Sequence, residues 1–176
     1  DQTVTYDKGG WVFWMLHRHL GRERALAGLR KFIADWGDRP DHPVLQDFTA
    51  AMRPFASAPA AYDGFVKQWF HEVVVPEYRL SEARKVKKGS GWEATVRIEN
   101  AGTGRIPVEV AAVRGVRFTE DGKPGAGYRE VRQTMTLGAG EARTLRIACP
   151  FEPETVIVDP DVQVLQLRRK AGVASL

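Results

Sequence analysis

The residues best suited to chemistry stand at the start of this chain. Tyr6 lies two residues before Lys8 and the glycine pair Gly9-Gly10, and the apolar run Trp11-Val12-Phe13-Trp14-Met15-Leu16 follows at once. A phenol hydroxyl can donate a hydrogen bond as well as accept one. The glycines let the backbone pack tightly beside the tyrosine and begin a helix without side-chain clash. The same residues also read as a plain helix start with a tyrosine packed beneath it. Lys8 reads either as an anion binder or as an aliphatic stem along the helix start, ion-paired locally with Asp7 or a neighbouring acid.

The other residues that could do chemistry are the histidines. A catalytic zinc needs at least three convergent protein ligands. His17 and His19 are two apart, which puts them roughly 200° apart on a helix. His71-Glu72 is followed by Val73-Val74-Val75 with no second histidine, and His42 stands alone in a loop. No His-Glu-x-x-His occurs, so surface or capping histidines are expected, with no metal ligand among them. Cys149 is the only cysteine, which excludes an internal disulfide, and its apolar flanks point to the core.

The charge balance argues against nucleic acid. The 176 residues carry a net charge of +4, all of it in residues 81–176. The runs Arg84-Lys85-Val86-Lys87-Lys88 and Arg168-Arg169-Lys170 are the densest basic stretches. In a strand, alternate residues of the first run point to opposite faces and make two weak patches, and the second reads as a solvated tail end. Neither is interleaved with the aromatic residues that single-strand binders use for stacking. Hydrophobic content of 43% and charged content of 27% suit a globular protein. No apolar run reaches the roughly 18 residues that a membrane span needs. The chain begins at Asp1 with no Met and no signal peptide, so a processed protein or a cut piece of a longer one is expected.

Two periodicities organise the elements that must position these residues. In residues 1–80 apolar positions recur at helical spacing. Val12, Phe13, Leu16 and Leu20 mark a first helix that Gly21 stops. A second is expected from about Arg22 to Trp36, with Leu26, Leu29, Phe32, Ile33 and Trp36 as its stripe. A third runs from Val44 to about Arg53, ended by Pro54, and a fourth from about Tyr62 to Phe70. Four of the five tryptophans lie here, so the helices should hold the larger aromatic core. In residues 81–170 the period falls to two. Trp92, Ala94, Val96 and Ile98 alternate with Glu93, Thr95, Arg97 and Glu99, and Val108, Val110 and Ala112 alternate with Glu109, Ala111 and Val113. Further strands are expected near 114–119, 128–137, 142–149, 154–158 and 162–168. About seven short strands with regular turns suggest an immunoglobulin-like sandwich, and 171–176 reads as a tail. The expected fold class is therefore α+β, an N-terminal helical segment followed by a β-sandwich, with the boundary near 76–84.

Three stretches give this order a family resemblance. Tyr6-Asp7-Lys8-Gly9-Gly10 resembles the Tyr-x-Lys-Gly segment of the M1 (gluzincin) zinc aminopeptidases. Phe65-Val66-Lys67-Gln68-Trp69 resembles the Phe-x-x-x-Trp of that family's last helix before its linker. Pro153-Glu154-Thr155-Val156-Ile157-Val158-Asp159-Pro160-Asp161 resembles the strand and Asp-Pro turn that close its sandwich. The linker departs from the family's Pro-Gly-x-Pro, because Val73-Val74-Val75-Pro76-Glu77-Tyr78 keeps one proline. The resemblance implies that residues 1–80 are the end of a thermolysin-like catalytic domain. It implies that Tyr6 donates a hydrogen bond to the tetrahedral oxyanion. It also implies a parent metallopeptidase that holds zinc, takes peptide substrates and packs an upstream catalytic domain against this segment. With no helical domain after the sandwich, the chain resembles shorter relatives fused to bacterial transporter subunits, which implies membrane or transporter association on the extracytoplasmic face. By itself the segment should be inactive. The competing reading is a non-catalytic interaction or docking module of a membrane-associated protein.

Overall fold

A computed structural model describes residues 8–176 of the chain. They form two compact units that divide between Val73 and Val74. The fold is α+β, with helices in the first unit and an immunoglobulin-like β-sandwich in the second.

The helical unit contains α1 (Gly9–Leu20), α2 (Arg22–Trp36), α3 (Leu45–Met52) and α4 (Pro59–Val66). Gly21 separates the first two with φ of 81°, a conformation that side-chain-bearing residues rarely adopt. The buried stripe of α1 is Val12, Met15, Leu16 and Leu20, whereas Phe13, expected inside, is 45% exposed. Along α2 the residues fully buried are small, Ala25 and Gly28. A Cβ on Gly28 would lie 2.8 Å from Met52 Sδ, so the glycine admits a close approach of α3. The larger residues of the expected stripe ride higher, and Ile33 is 66% exposed.

At α3 the Asp47 carboxylate accepts the Val44 N–H at 2.9 Å, satisfying a donor that a helix start leaves open. Pro54 does end α3, through a 3₁₀ turn at Arg53–Phe55. The fourth helix starts three residues earlier than expected, with Pro59 at its first position, where its missing N–H costs nothing. It runs on as a π-helical turn over Lys67–His71. The Tyr62 hydroxyl donates to the Thr49 carbonyl at 2.7 Å, and burial pushes its pKa up to about 12. Phe48 gathers Phe13, Phe32 and Phe70 around it, with centroids 5.3–6.5 Å away.

The sandwich has seven strands: β1 (Tyr78–Lys88), β2 (Gly91–Asn100), β3 (Ile106–Arg114), β4 (Arg129–Leu137), β5 (Ala142–Cys149), β6 (Thr155–Val158) and β7 (Val173–Ser175). One sheet has the order β1-β2-β5 and the other β4-β3-β6-β7. All pairings are antiparallel. Ala94, Val96 and Ile98 of β2, Val108, Val110 and Ala112 of β3, and Ile147 and Cys149 of β5 fill the common core. This is the period-two pattern read from the sequence. Cys149 is buried there, and burial raises its thiol pKa. Asn100, fully buried, closes the β2–β3 turn. Its side chain accepts from Glu77 N and Gly102 N at 3.2 Å each and donates to the carbonyls of Gly104 and Leu137.

Three expectations are corrected. No strand forms at 114–119. Gly115, with φ of 75°, ends β3, and the chain makes a long excursion to Tyr128 pinned by a Phe118–Pro124 bridge. No strand forms at 162–168 either, because the Asp159 carboxylate takes the Gln163 and Val164 N–H groups that a strand would offer to a neighbour. The last residues are not a tail. Val173–Ser175 pairs with β6, and Leu176 N donates to the Glu154 carbonyl at 2.9 Å, so the backbone groups of β6 are not left open as a sheet edge.

Candidate functional site

Tyr6, the residue to which the resemblance gives a catalytic role, lies outside the described residues, as does Asp7. The remainder of the motif is described. The Lys8 Nζ donates to the Glu72 carbonyl at 3.2 Å, one residue beyond the π-helical turn. Lys8 therefore acts as a tether across 64 residues of sequence, an arrangement that sequence spacing could not reveal. Phe65 and Trp69, the residues singled out in the last helix, are both buried, and their rings are 6.2 Å apart. His19 of α1 stacks on Phe65 at 4.9 Å. Lys8 of the first stretch is thus joined to the residue that follows the π-helical turn, and α1 packs on Phe65 through His19. The π turn is the local device involved, and such irregular turns recur at functional sites.

The histidines do not converge. His17 stacks on Trp14 at 5.5 Å, and its Nδ1 is buried without a hydrogen-bond partner among the described residues. Withdrawal from water lowers the His19 pKa. His42 and His71 are exposed. Among the described residues no group of three His, Cys, Asp or Glu side chains is placed to hold a metal ion. This donor set does not fit a catalytic zinc, which needs at least three such ligands at one point.

The polar chemistry of the sandwich centres on two carboxylates that flank Pro160. Asp159, in a left-handed conformation with φ of 54°, has a side chain 4% exposed. It accepts from Gln163 N at 2.8 Å, Val164 N at 2.9 Å, Gln166 Nε2 at 3.3 Å and Arg169 Nη1 at 2.7 Å. Asp161 instead receives both Arg132 and Arg117. Arg132 also reaches Glu109 at 2.8 Å and Glu130 at 2.9 Å. The Arg132 hydrogen bond, followed by that from Arg117, holds the Asp161 carboxyl down to about 2 against the opposing effect of burial. The network ties β3, β4 and the loop after β6 together. It is a clamp with no nucleophile beside a base. The sequence marked this Asp-Pro turn by resemblance alone, and the partners come from β3, β4 and Arg169. Close by, the Tyr78 hydroxyl is buried without a partner among the described residues. Burial and then Asp159 push its pKa well above the usual phenol range.

The basic runs are partly absorbed into the fold. Lys85 pairs with Glu152 at 3.1 Å and donates to the Pro153 carbonyl. Lys88 pairs with Glu93 at 2.8 Å. Of the expected solvated end Arg168-Arg169-Lys170, Arg168 and Lys170 are exposed, whereas Arg169 docks on Asp159.

No protein-family model matches the chain, and no curated protein does. Solved structures give distant likenesses. A CARDB domain of the Pyrococcus furiosus protein PF1109, determined in complex with di-metal ions, is 19% identical. The match covers 60% of this chain and 93% of that one with a TM-score of 0.41. Legionella pneumophila aminopeptidase A, in complex with aspartic acid, is 15% identical. It covers 86% of this chain, which spans 18% of that one, with a TM-score of 0.44. A Bifidobacterium adolescentis GH3 beta-glucosidase is 17% identical, covering 57% of this chain and 17% of that one with a TM-score of 0.31. Scores this low carry no weight for function. The fold assigned here rests on the strand order and on the core between the sheets.

Proposed function

We propose that this chain is the C-terminal portion of an M1-like zinc metallopeptidase, an aminopeptidase. In this reading it supplies Tyr6 as the donor that stabilises the oxyanion, together with the β-sandwich, and is inactive on its own. The observation that carries the reading is the contact from Lys8 to the Glu72 carbonyl. It fastens the lysine of the Tyr-x-Lys-Gly segment to Glu72, which caps the π turn that continues the Phe-x-x-x-Trp helix, and this supports the reading. Preorganised donors aimed at developing negative charge are among the strongest catalytic devices, and a tethered helix start is suited to holding one.

Zinc, peptide substrate and an upstream catalytic domain belong to the parent in this reading, and no step is assigned to metal held by the described residues. Metal analysis of the purified chain after dialysis tests it. The expected result is no stoichiometric zinc and no release of amino acids from peptides. One tightly held zinc per chain would contradict the proposal. A docking module is the second reading, supported by the exposed Arg84, Arg97 and Arg146 on the sandwich. A His-Glu-x-x-His with a further glutamate ligand, in a longer protein that carries this segment, favours the enzyme. Their absence there favours the module.

A further inference from the structure

The outer face of the three-stranded sheet carries a cluster of exposed arginines. The register places Arg84 of β1 and Arg146 of β5 opposite Thr95 of β2, one on each side. Arg97 follows two residues along β2, on the same face. All three arginines are exposed, and Thr95 between them is buried. Neighbouring strands lie about 4.8 Å apart, so Arg84 and Arg146 stand roughly 10 Å from each other across the face. Several arginines elsewhere in the sandwich find carboxylates, as Arg132 and Arg169 do. Glu93 and Glu99 stand on the same face of β2, and Glu93 pairs with Lys88 at 2.8 Å while the charges of Arg146 and Arg84 also reach it. The arginines and Lys88 still outnumber these two carboxylates. Charge on an edge strand guards against sheet-to-sheet pairing. That explanation covers Arg84 and Arg146 but not Arg97, which sits on the central strand.

We propose that this face rests on an anionic phospholipid surface. Two features beside the arginines select lipid over other polyanions. Val86, on the same face as Arg84, is 50% exposed. A depression of about 340 Å³ opens at the end of the sheet, lined by Lys88, Trp92, Glu93, Ala148, Cys149 and Pro150 among others. Cations beside an apolar recess match a charged headgroup attached to an acyl chain. No aromatic residue occupies the arginine rows, so single-stranded nucleic acid would find no stacking platform there. The attraction is electrostatic and acts within a Debye length, about 8 Å at physiological salt. The inference stands on the sandwich alone and holds whether or not the peptidase reading does.

Co-sedimentation of the whole chain with vesicles tests it. Vesicles of phosphatidylcholine containing phosphatidylglycerol should bind the protein, and vesicles of phosphatidylcholine alone should not. Each cation near such a surface contributes about fivefold to binding. The triple variant Arg84→Ala, Arg97→Ala, Arg146→Ala should therefore bind about a hundredfold more weakly. A control with the same net charge, Arg114→Ala, Lys123→Ala, Arg129→Ala, should bind like the parent. Replacing the three arginines with lysine should preserve binding, because a lipid surface reads charge rather than guanidinium shape. Circular dichroism checks that each variant is folded. Equal loss in the triple variant and the control would overturn the proposal, as would loss on the lysine exchange, which marks a protein carboxylate partner. Absence of binding to anionic vesicles at low salt, or tighter binding to duplex DNA than to them, would also overturn it.

Discussion

Replacing Asp159 with alanine should destabilise the sandwich by about 3 kcal/mol. The carboxylate accepts two main-chain N–H groups, one side-chain amide and one guanidinium while its own side chain is 4% exposed. Removing one partner of a buried ion pair typically costs about 3–5 kcal/mol, because the other charge is left uncompensated. The lower end applies because the Arg169 side chain is 29% exposed and can turn toward water. The unpaired N–H groups of Gln163 and Val164 would add about 1 kcal/mol or more each if they stayed buried, but the loop can open to hydrate them. Asparagine tolerates the left-handed conformation of residue 159 and keeps one acceptor oxygen, so Asp159→Asn should cost about 1–2 kcal/mol. The two units can unfold in separate transitions, so amide hydrogen exchange by mass spectrometry is the suitable assay. Peptides spanning 154–158 and 162–168 should lose protection in Asp159→Ala, and those of the helical unit should not. A change below about 1 kcal/mol in Asp159→Ala, or unaltered exchange at 162–168, would refute the assignment of this loop to one carboxylate.

Two further outcomes concern the sandwich. Asp161 has a folded pKa of about 2, below the ordinary carboxylate value of about 3.9. Its contribution is therefore present above about pH 4 and lost as pH falls toward 2, amounting to about 2 kcal/mol after allowance for partial exposure. Urea denaturation across that range should show the loss in the parent, and Asp161→Asn should be weaker at neutral pH and lack that share of the pH dependence. A Cβ on Gly102 would lie 2.3 Å from the Val75 carbonyl oxygen and 2.6 Å from the Glu77 nitrogen. Both are backbone atoms that cannot swing aside, so Gly102→Ala should cost about 2–3 kcal/mol, read from the same denaturation curves.

The legible parts of this chain are those where one face of an element is dry. β2 and β5 follow the period-two pattern because each turns one face to a common core, whereas β3 buries Val110, Ala111, Ala112 and Val113 in succession, and α2 spans the expected range. What escaped reading depends on partners distant in sequence. The stretch 162–168 alternates like a strand, but its N–H groups go to Asp159. The final residues look like a tail until β6 offers an edge. Phe13 fits a helical stripe, but the face of α1 that is buried centres on Met15 and Leu16. The motif around Tyr6 was legible only as a resemblance. The Lys8 tether needs Glu72 brought alongside, and the Asp161 clamp needs three other segments of chain.

The central claim is that Tyr6 serves as an oxyanion donor in a peptidase that carries this segment. The direct measurement is steady-state hydrolysis of aminoacyl amides by that longer protein, comparing Tyr6 with Tyr6→Phe. Loss of one such donor should lower kcat by about 10²–10³ while KM changes little. An unchanged kcat in the phenylalanine variant would contradict the claim.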